Sequence, residues 1–382
     1  LYVRNIDYYT FCSQPIMQRA KRPFWQRWRK KAATALSVSS LLLALTGCME
    51  ADSTIAEELP SVAPAVTATD SFTEDKRIYD RDDDFSVRTL YVTVLPDESD
   101  DGADWNWYLM NRLRDRPSEK ELPVIMQEGA GDGSGPRSGY FGYTETISNG
   151  KIGLRGNSTR YASQRSYSIE LKDRAGLWND QRKINLVKSI SDPTRIRNKL
   201  SFDLFETMPD MGSLRTQFVH LYVKDLSEGG DRAYEDYGLF TQIEQPNKNF
   251  LKNHWLDPNG QLYKAVYFEF FRYEDRLKPE SDPDYDPALF ESHLEIRGRE
   301  EHAKLLKMLD DVNNVSIPID QVIETYFDLD NYLTWMAANI LMDNMDTNTQ
   351  NFLLYSPLNS DKFYFLPWDY DGGWTPPREL HT

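Results

Sequence analysis

A run with apolar residues at helical intervals, Asp328 to Asp343, leads directly into Asp346-Thr-Asn-Thr-Gln-Asn351, and two aromatic segments joined by a short turn follow at once. The run predicts a helix with Tyr332, Trp335, Met336, Ile340 and Leu341 facing a core. Asn351-Phe-Leu-Leu-Tyr-Ser356 and Lys362-Phe-Tyr-Phe-Leu-Pro367 read as strands, and Leu358-Asn-Ser-Asp361 supplies the turn between them. Such a hairpin returns Asp369 and Asp371 of Pro367-Trp-Asp-Tyr-Asp371 to Asn351, although eighteen residues separate Asn351 from Asp369 along the chain.

That arrangement matches what phosphoryl transfer demands: a carboxylate to receive a hydroxyl proton, an amide oxygen on a metal, and a later carboxylate on the metal. Asp346 and Asn351 have the offset of D-x-x-x-x-N in protein kinases. The same residue types also serve as turn and cap residues. A third reading makes Asp369 and Asp371, or either with Asp346, the acid and base of a glycoside hydrolase, which leaves Asn351 without a role. The five histidines show no metal-ligand spacing and no serine sits in a G-x-S-x-G elbow, which disfavours zinc and serine hydrolases.

Upstream, Lys151 to Arg174 carries six basic residues against Glu170 and Asp173, an excess suited to phosphate or simply a solvated basic hairpin. Its centre, Gly156-Asn157-Ser158, is small enough for backbone to approach a phosphate, and is equally an ordinary turn. On the outgoing strand a period of two puts Arg165 and Lys172 on opposite faces, so only one of them can point at a nucleotide. Asp192-Pro-Thr predicts a helix start, with Ile196, Leu200, Leu204 and Phe205 as its apolar stripe. Asp203 or Glu206 on that helix could pair with the basic strand residue, or be a surface acid. Val87 to Leu95, Gln217 to Lys224 and Tyr237 to Ile243 read as strands, Trp105 to Leu113 as a short helix, and Arg299 to Val312 as a longer one. Asn247 is placed to cap a helix running to Trp255.

Several of these segments together resemble the CotH family, the spore-coat protein H type of atypical protein kinase. The resemblance is carried by Asn344-Met-Asp-Thr-Asn-Thr-Gln-Asn351-Phe-Leu-Leu-Tyr with Pro367-Trp-Asp-Tyr-Asp371, by Arg155-Gly-Asn-Ser158, by Gln164-Arg-Ser-Tyr-Ser-Ile-Glu-Leu171, by Arg197-Asn-Lys-Leu-Ser-Phe-Asp-Leu204 and by Gly238-Leu-Phe-Thr-Gln-Ile-Glu-Gln245. It covers residues 85 to 374. It implies an α+β, two-lobed, protein-kinase-like fold, with a β-rich lobe over 85–245 and a helical lobe over 246–382, and further helices beyond Thr382. It also implies transfer of phosphate from ATP, with Mg²⁺ or Mn²⁺, to a protein hydroxyl. Asp346 would be the base; Asn351, Asp369 and Asp371 the metal ligands; Gly156, Asn157, Ser158, Arg165 and Glu244 the nucleotide contacts, with Glu244 at the adenine. Arg165 stands where the family carries lysine, and a guanidinium can still grip phosphates through two prongs.

The N-terminal region predicts an address. Trp25 to Lys31 is a basic segment, Ala32 to Ala44 an apolar one, and Leu45-Thr-Gly-Cys48 a lipobox, so 1–47 reads as an upstream extension and signal peptide, with Met17 as the natural start. Cys48 is the expected acylation site. With Met49 and not Asp after it, the anchor is expected in the outer membrane of a diderm envelope. Residues 48–84 read as a disordered tether rich in Ser, Thr, Ala, Pro and acids. The net charge is −16; residues 1–47 carry seven net positive charges, leaving −23 for the rest, which excludes nucleic acid as a partner. An exported site lies away from cytoplasmic ATP, so a surface lipoprotein using the fold for binding or adhesion is the rival reading.

Overall fold

The computed structural model describes residues 72–81, 86–97, 105–112, 120–156, 158–230 and 232–374. Of the residues named above, Cys48, Asn157 and the side chain of Ser158 lie outside the described residues.

The fold is α+β. Seven strands close into a barrel: β1 (Val87–Val94), β2 (Leu122–Gly129), β3 (Gly150–Leu154), β4 (Tyr167–Leu171), β5 (Lys183–Val187), β6 (Thr216–Asp225) and β7 (Glu235–Glu244), in the order β1-β2-β3-β4-β5-β7-β6. Neighbours are antiparallel except β1 and β6, whose parallel register pairs Val87 with Phe218 and Val94 with Asp225. Closure leaves no open strand edge. Alternation sets the filling: Leu90, Val92 and Val94 of β1, Tyr167, Ile169 and Leu171 of β4, and Val219, Leu221 and Val223 of β6 share one buried cluster. Helix α1 (Trp107–Arg112) adds Trp107 and Met110 to it.

A second sheet has the order β11-β10-β8-β9, from β8 (Gln261–Ala265), β9 (Leu294–Ile296), β10 (Phe352–Ser356) and β11 (Tyr364–Pro367). Around it stand α3 (Lys248–Asn253), α4 (Pro287–Glu291), α5 (Ala303–Asn313), α6 (Ile319–Tyr326) and α7 (Leu329–Leu341); α2 (Arg197–Thr207), between β5 and β6, gives Phe202 and Phe205 to this second core. The edge strand β11 is protected by α7: the buried Asn331 accepts from Phe365 N at 2.7 Å and donates to Phe365 O at 3.1 Å. Asn247 caps α3 as expected, accepting from Asn249 N and Phe250 N.

Several expectations are corrected. Helix α2 begins at Arg197 and not at Asp192, because the Asp192 carboxylate accepts from Thr194 N and from Arg197 N and so stabilises a turn ahead of the helix. Its expected stripe holds only at its end: Phe205 is buried and Leu204 packs on the core, but Ile196 and Leu200 are exposed, while Asn198, Lys199, Ser201 and Phe202 are buried. Asp203 pairs with Lys199 at 3.0 Å on its own helix. On α7, Trp335 faces the core, yet Ile340 and Leu341 are 72% and 83% exposed, since the chain turns away after them. Residues 72–81, expected in the tether, are bound to the body. Ile78 is buried, Glu74 meets His254 at 2.6 Å, and Tyr79 donates to Glu74 at 2.7 Å.

Candidate active site

The aromatic hairpin forms as its sequence demands. β10 and β11 pair antiparallel with Phe352 opposite Pro367, so Asn351 and Trp368 leave the ladder side by side. Two turns then take unusual backbone: Asn351 and Asp369 both have positive φ, at 58° and 57°, a region that Asn and Asp tolerate better than other side chains. Between the two acids, Tyr370 is the fixed point. Its N–H donates to Asn198 Oδ1 of α2 at 2.7 Å, its hydroxyl donates to Asn339 Oδ1 of α7 at 2.9 Å, and its ring meets the edges of Phe202 and Phe205. Asp369 and Asp371 are thus held on either side of a buried anchor.

Asp346 lies on a 3₁₀ turn, Met345–Asn348, directly after α7 and a left-handed Asp343. It is exposed, and its Oδ2 lies close to Gly372, 3.4 Å from where a Cβ on that residue would stand. The three carboxylates sense one another. Burial, then the Asp371 charge, pushes the Asp369 carboxyl up to about 6, with Asp346 adding and Arg155 and Lys264 opposing. Asp371 is pushed up by burial, then pulled back by its hydrogen bond from Ser191 at 3.0 Å, while Asp346 and Asp192 raise it and Arg197 lowers it.

The structure therefore brings Asp346, Asp369 and Asp371 into one charge cluster, and Asn351 stands at the hairpin mouth beside it. All supply hard oxygen donors, the kind Mg²⁺ takes. Among the described residues no three His, Cys, Asp or Glu side chains converge at metal-enclosing distance. Beside Gly372, the buried amide of Asn344 meets no hydrogen-bond partner at either atom, an orphaned pair that a ligand or water would satisfy.

The nucleotide contacts expected from sequence are placed differently. Glu244 is buried, with its carboxylate engaged by His254 Nε2 at 2.8 Å and by Arg215 at 3.4 Å, so the expectation of a side-chain contact to adenine is corrected. Arg165 precedes β4, is 4% exposed, and donates to Asn111 O of α1 at 3.3 Å. Lys172 is exposed. Gly156 keeps its expected need for glycine, with φ at 88° and the space beside it filled by Thr159 Oγ1. The cations that do face Asp369 are Arg155 and Lys264. Arg155 could have been found as the neighbour of Gly156; Lys264, in an unpredicted strand, carried no local signal.

With this geometry in place, comparison with known proteins is decisive: the profile described as CotH kinase protein matches residues 152–379, more than half of the chain. The chain belongs to the CotH kinase protein family. The CotH match begins in β3 and runs through the acid cluster, so it includes Arg155, Lys264, Asp346 and Asp369. A curated relative, the inner spore coat protein H of Bacillus subtilis (strain 168), is 25% identical over 232 residues, which is 60% of this chain and 59% of that protein. The CotH chain described here thus spans about 59% of the length of that relative.

Proposed function

We propose that this CotH family member transfers a phosphoryl group from ATP to a protein hydroxyl, in a site built like that of a two-lobed kinase. The supporting observation is the placement of Asp346, Asp369 and Asp371 around the mouth of the β10–β11 hairpin, where the Asp346 charge raises the proton affinity of both other acids and Asp371 that of Asp369. Asp346, exposed at the start of the segment that ends in Asn351, is the group free to take a hydroxyl proton. Asn351, Asp369 and Asp371 would hold Mg²⁺ or Mn²⁺, which when bound neutralises phosphate charge. Tyr370 keeps the two acids apart and oriented, and Ser191 fixes the rotamer of Asp371. The acceptor is a protein. Export and anchoring through Cys48 belong to the same proposal and rest on the sequence alone; among the described residues no helix is long and apolar enough to cross a membrane.

Asp346→Asn tests the chemistry. It keeps size and polarity, so Mg²⁺-ATP affinity measured by calorimetry should persist while transfer to a protein acceptor falls by about 10² to 10⁴, as losing a general base commonly costs. Equal transfer by wild type and variant removes Asp346 as the base. Nucleotide binding with no transfer by wild type leaves the binding-only lipoprotein.

A further inference from the structure

The charges around Trp368 do not balance internally. Lys264 of β8 lies opposite Glu295 of β9 in the strand register, and their side chains pair at 3.1 Å. Arg297, two residues on, also donates to Glu295, and its Nε is buried without a partner. Arg155, at the end of β3, makes no hydrogen bond or ion pair through its guanidinium among the described residues, although it is only partly exposed. Its Cζ lies 5.9 Å from the Trp368 ring centroid, and Lys264 Nζ lies 5.8 Å from the same centroid. Two cations, Lys264 and Arg297, therefore share Glu295 while Arg155 stands beside them without an ion pair among the described residues, and both arginines keep donors unengaged. Buried or half-buried donors of this kind are costly unless something accepts from them.

A lone anion at this place would be repelled by Asp346, Asp369 and Asp371. A lone divalent cation would be repelled by Arg155, Lys264 and Arg297. A polyphosphate carrying a divalent cation satisfies both halves at once, with oxygens toward the arginine and lysine and the metal toward the acids. We infer that Arg155 and Lys264, gathered at Trp368, are the polyphosphate-binding residues of this site, and that Glu295, itself held by Arg297, positions Lys264. The inference rests on the proposed phosphoryl transfer only for the identity of the polyphosphate as ATP. It moves phosphate binding from the β4 cations Arg165 and Lys172 to the second sheet and the end of β3.

The test is titration calorimetry on the full chain with Mg²⁺ and three probes: ATP, inorganic tripolyphosphate and adenosine. Arg155→Met and Lys264→Met should each weaken ATP and tripolyphosphate by about tenfold to a hundredfold, the worth of a hydrogen bond to a charged group, and leave adenosine unchanged. Lys264→Arg should restore most of the affinity. Glu295→Gln should weaken both polyphosphates but add little in combination with Lys264→Met, because a residue that acts through Lys264 has nothing left to position; a purely structural glutamate would add its full effect. Arg155 is partly exposed, so its variant carries the test if Lys264→Met does not fold.

Unchanged polyphosphate affinity in folded Arg155→Met, equal weakening of adenosine, absence of tripolyphosphate binding by wild type, or a larger loss in Arg165→Met would each overturn the assignment. Polyphosphate binding that depends on Arg155 and Lys264 without transfer to any acceptor would keep the assignment and defeat the proposed transfer. Transfer that survives both methionine variants would do the reverse.

Discussion

Asp369 sets the pH response of the site. Burial and the neighbouring Asp371 charge lift its carboxyl to about 6 against the pull of Arg155 and Lys264. Between the ordinary aspartate value and about 6 the folded chain keeps a proton that the unfolded chain has released, so folding stability falls as pH rises through that window. Melting temperatures in chelator should show this decline, and Asp369→Asn should flatten it; an equal slope in the variant would assign the titration elsewhere. If Asp369 holds the proposed divalent ion, the same proton competes with it, and Mg²⁺-ATP affinity should increase as pH rises through about 6. Arg155 and Arg165 show why residue roles outran sequence reading. Both sit in one basic stretch, ten positions apart, and nothing local distinguishes the guanidinium that meets Asn111 from the one that faces Asp369.

At the scale of elements, the segment 72–81 and helix α3 are joined by a buried charge relay. His254 is fully enclosed and presents Nδ1 to Glu74 at 2.6 Å and Nε2 to Glu244 at 2.8 Å, so both ring nitrogens carry protons. Arg215 meets Glu244 at 3.4 Å and Lys76 meets Glu74 at 3.0 Å. Burial works against the imidazolium, but Glu244 and then Glu74 outweigh it and push His254 up to about 9, while Glu244 itself falls to about 2. A raised histidine contributes stability that is complete below its unfolded value and lost as pH climbs through about 9; the depressed Glu244 contributes stability lost only as pH drops through about 2. Melting temperature should therefore fall between about pH 6.5 and 9. His254→Phe should abolish that slope and cost about 3 to 5 kcal/mol, the usual loss when a buried ion pair is broken. Retention of the slope in the variant would exclude His254 as its source. Glu244 read as an adenine contact from its strand-end position; its engagement with a helix ten residues later and a segment far upstream is a property of packing.

Across the whole molecule, two buried cores meet through α2, which sits in sequence between barrel strands yet gives Phe202 and Phe205 to the core of the second sheet. The same helix holds Tyr370 through Asn198, which ties it to the acid cluster. In the proposed lipid anchoring, display of this body depends on Cys48. Cys48→Ser should abolish labelling with a palmitate analogue and leave an unprocessed precursor, because the thiol is the acylated group; undiminished labelling would end the lipoprotein reading.

Sequence by itself determined the elements whose signals are local: the strand pair β10–β11 with its turn, the helix before Asp346, the cap at Asn247, and the order of Asp346, Asn351, Asp369 and Asp371 along the chain. Those follow from periodicity, turn chemistry and motif spacing, which need only neighbours a few residues away. Tertiary structure alone decided barrel closure, the face that α2 buries, and which cations confront the acids. Lys264 and Asp369 are more than a hundred residues apart, and their meeting depends on strand β8 pairing with a hairpin formed much later in the chain. Charge partners of this kind are selected by desolvation and register across a finished sheet, and no local pattern encodes them.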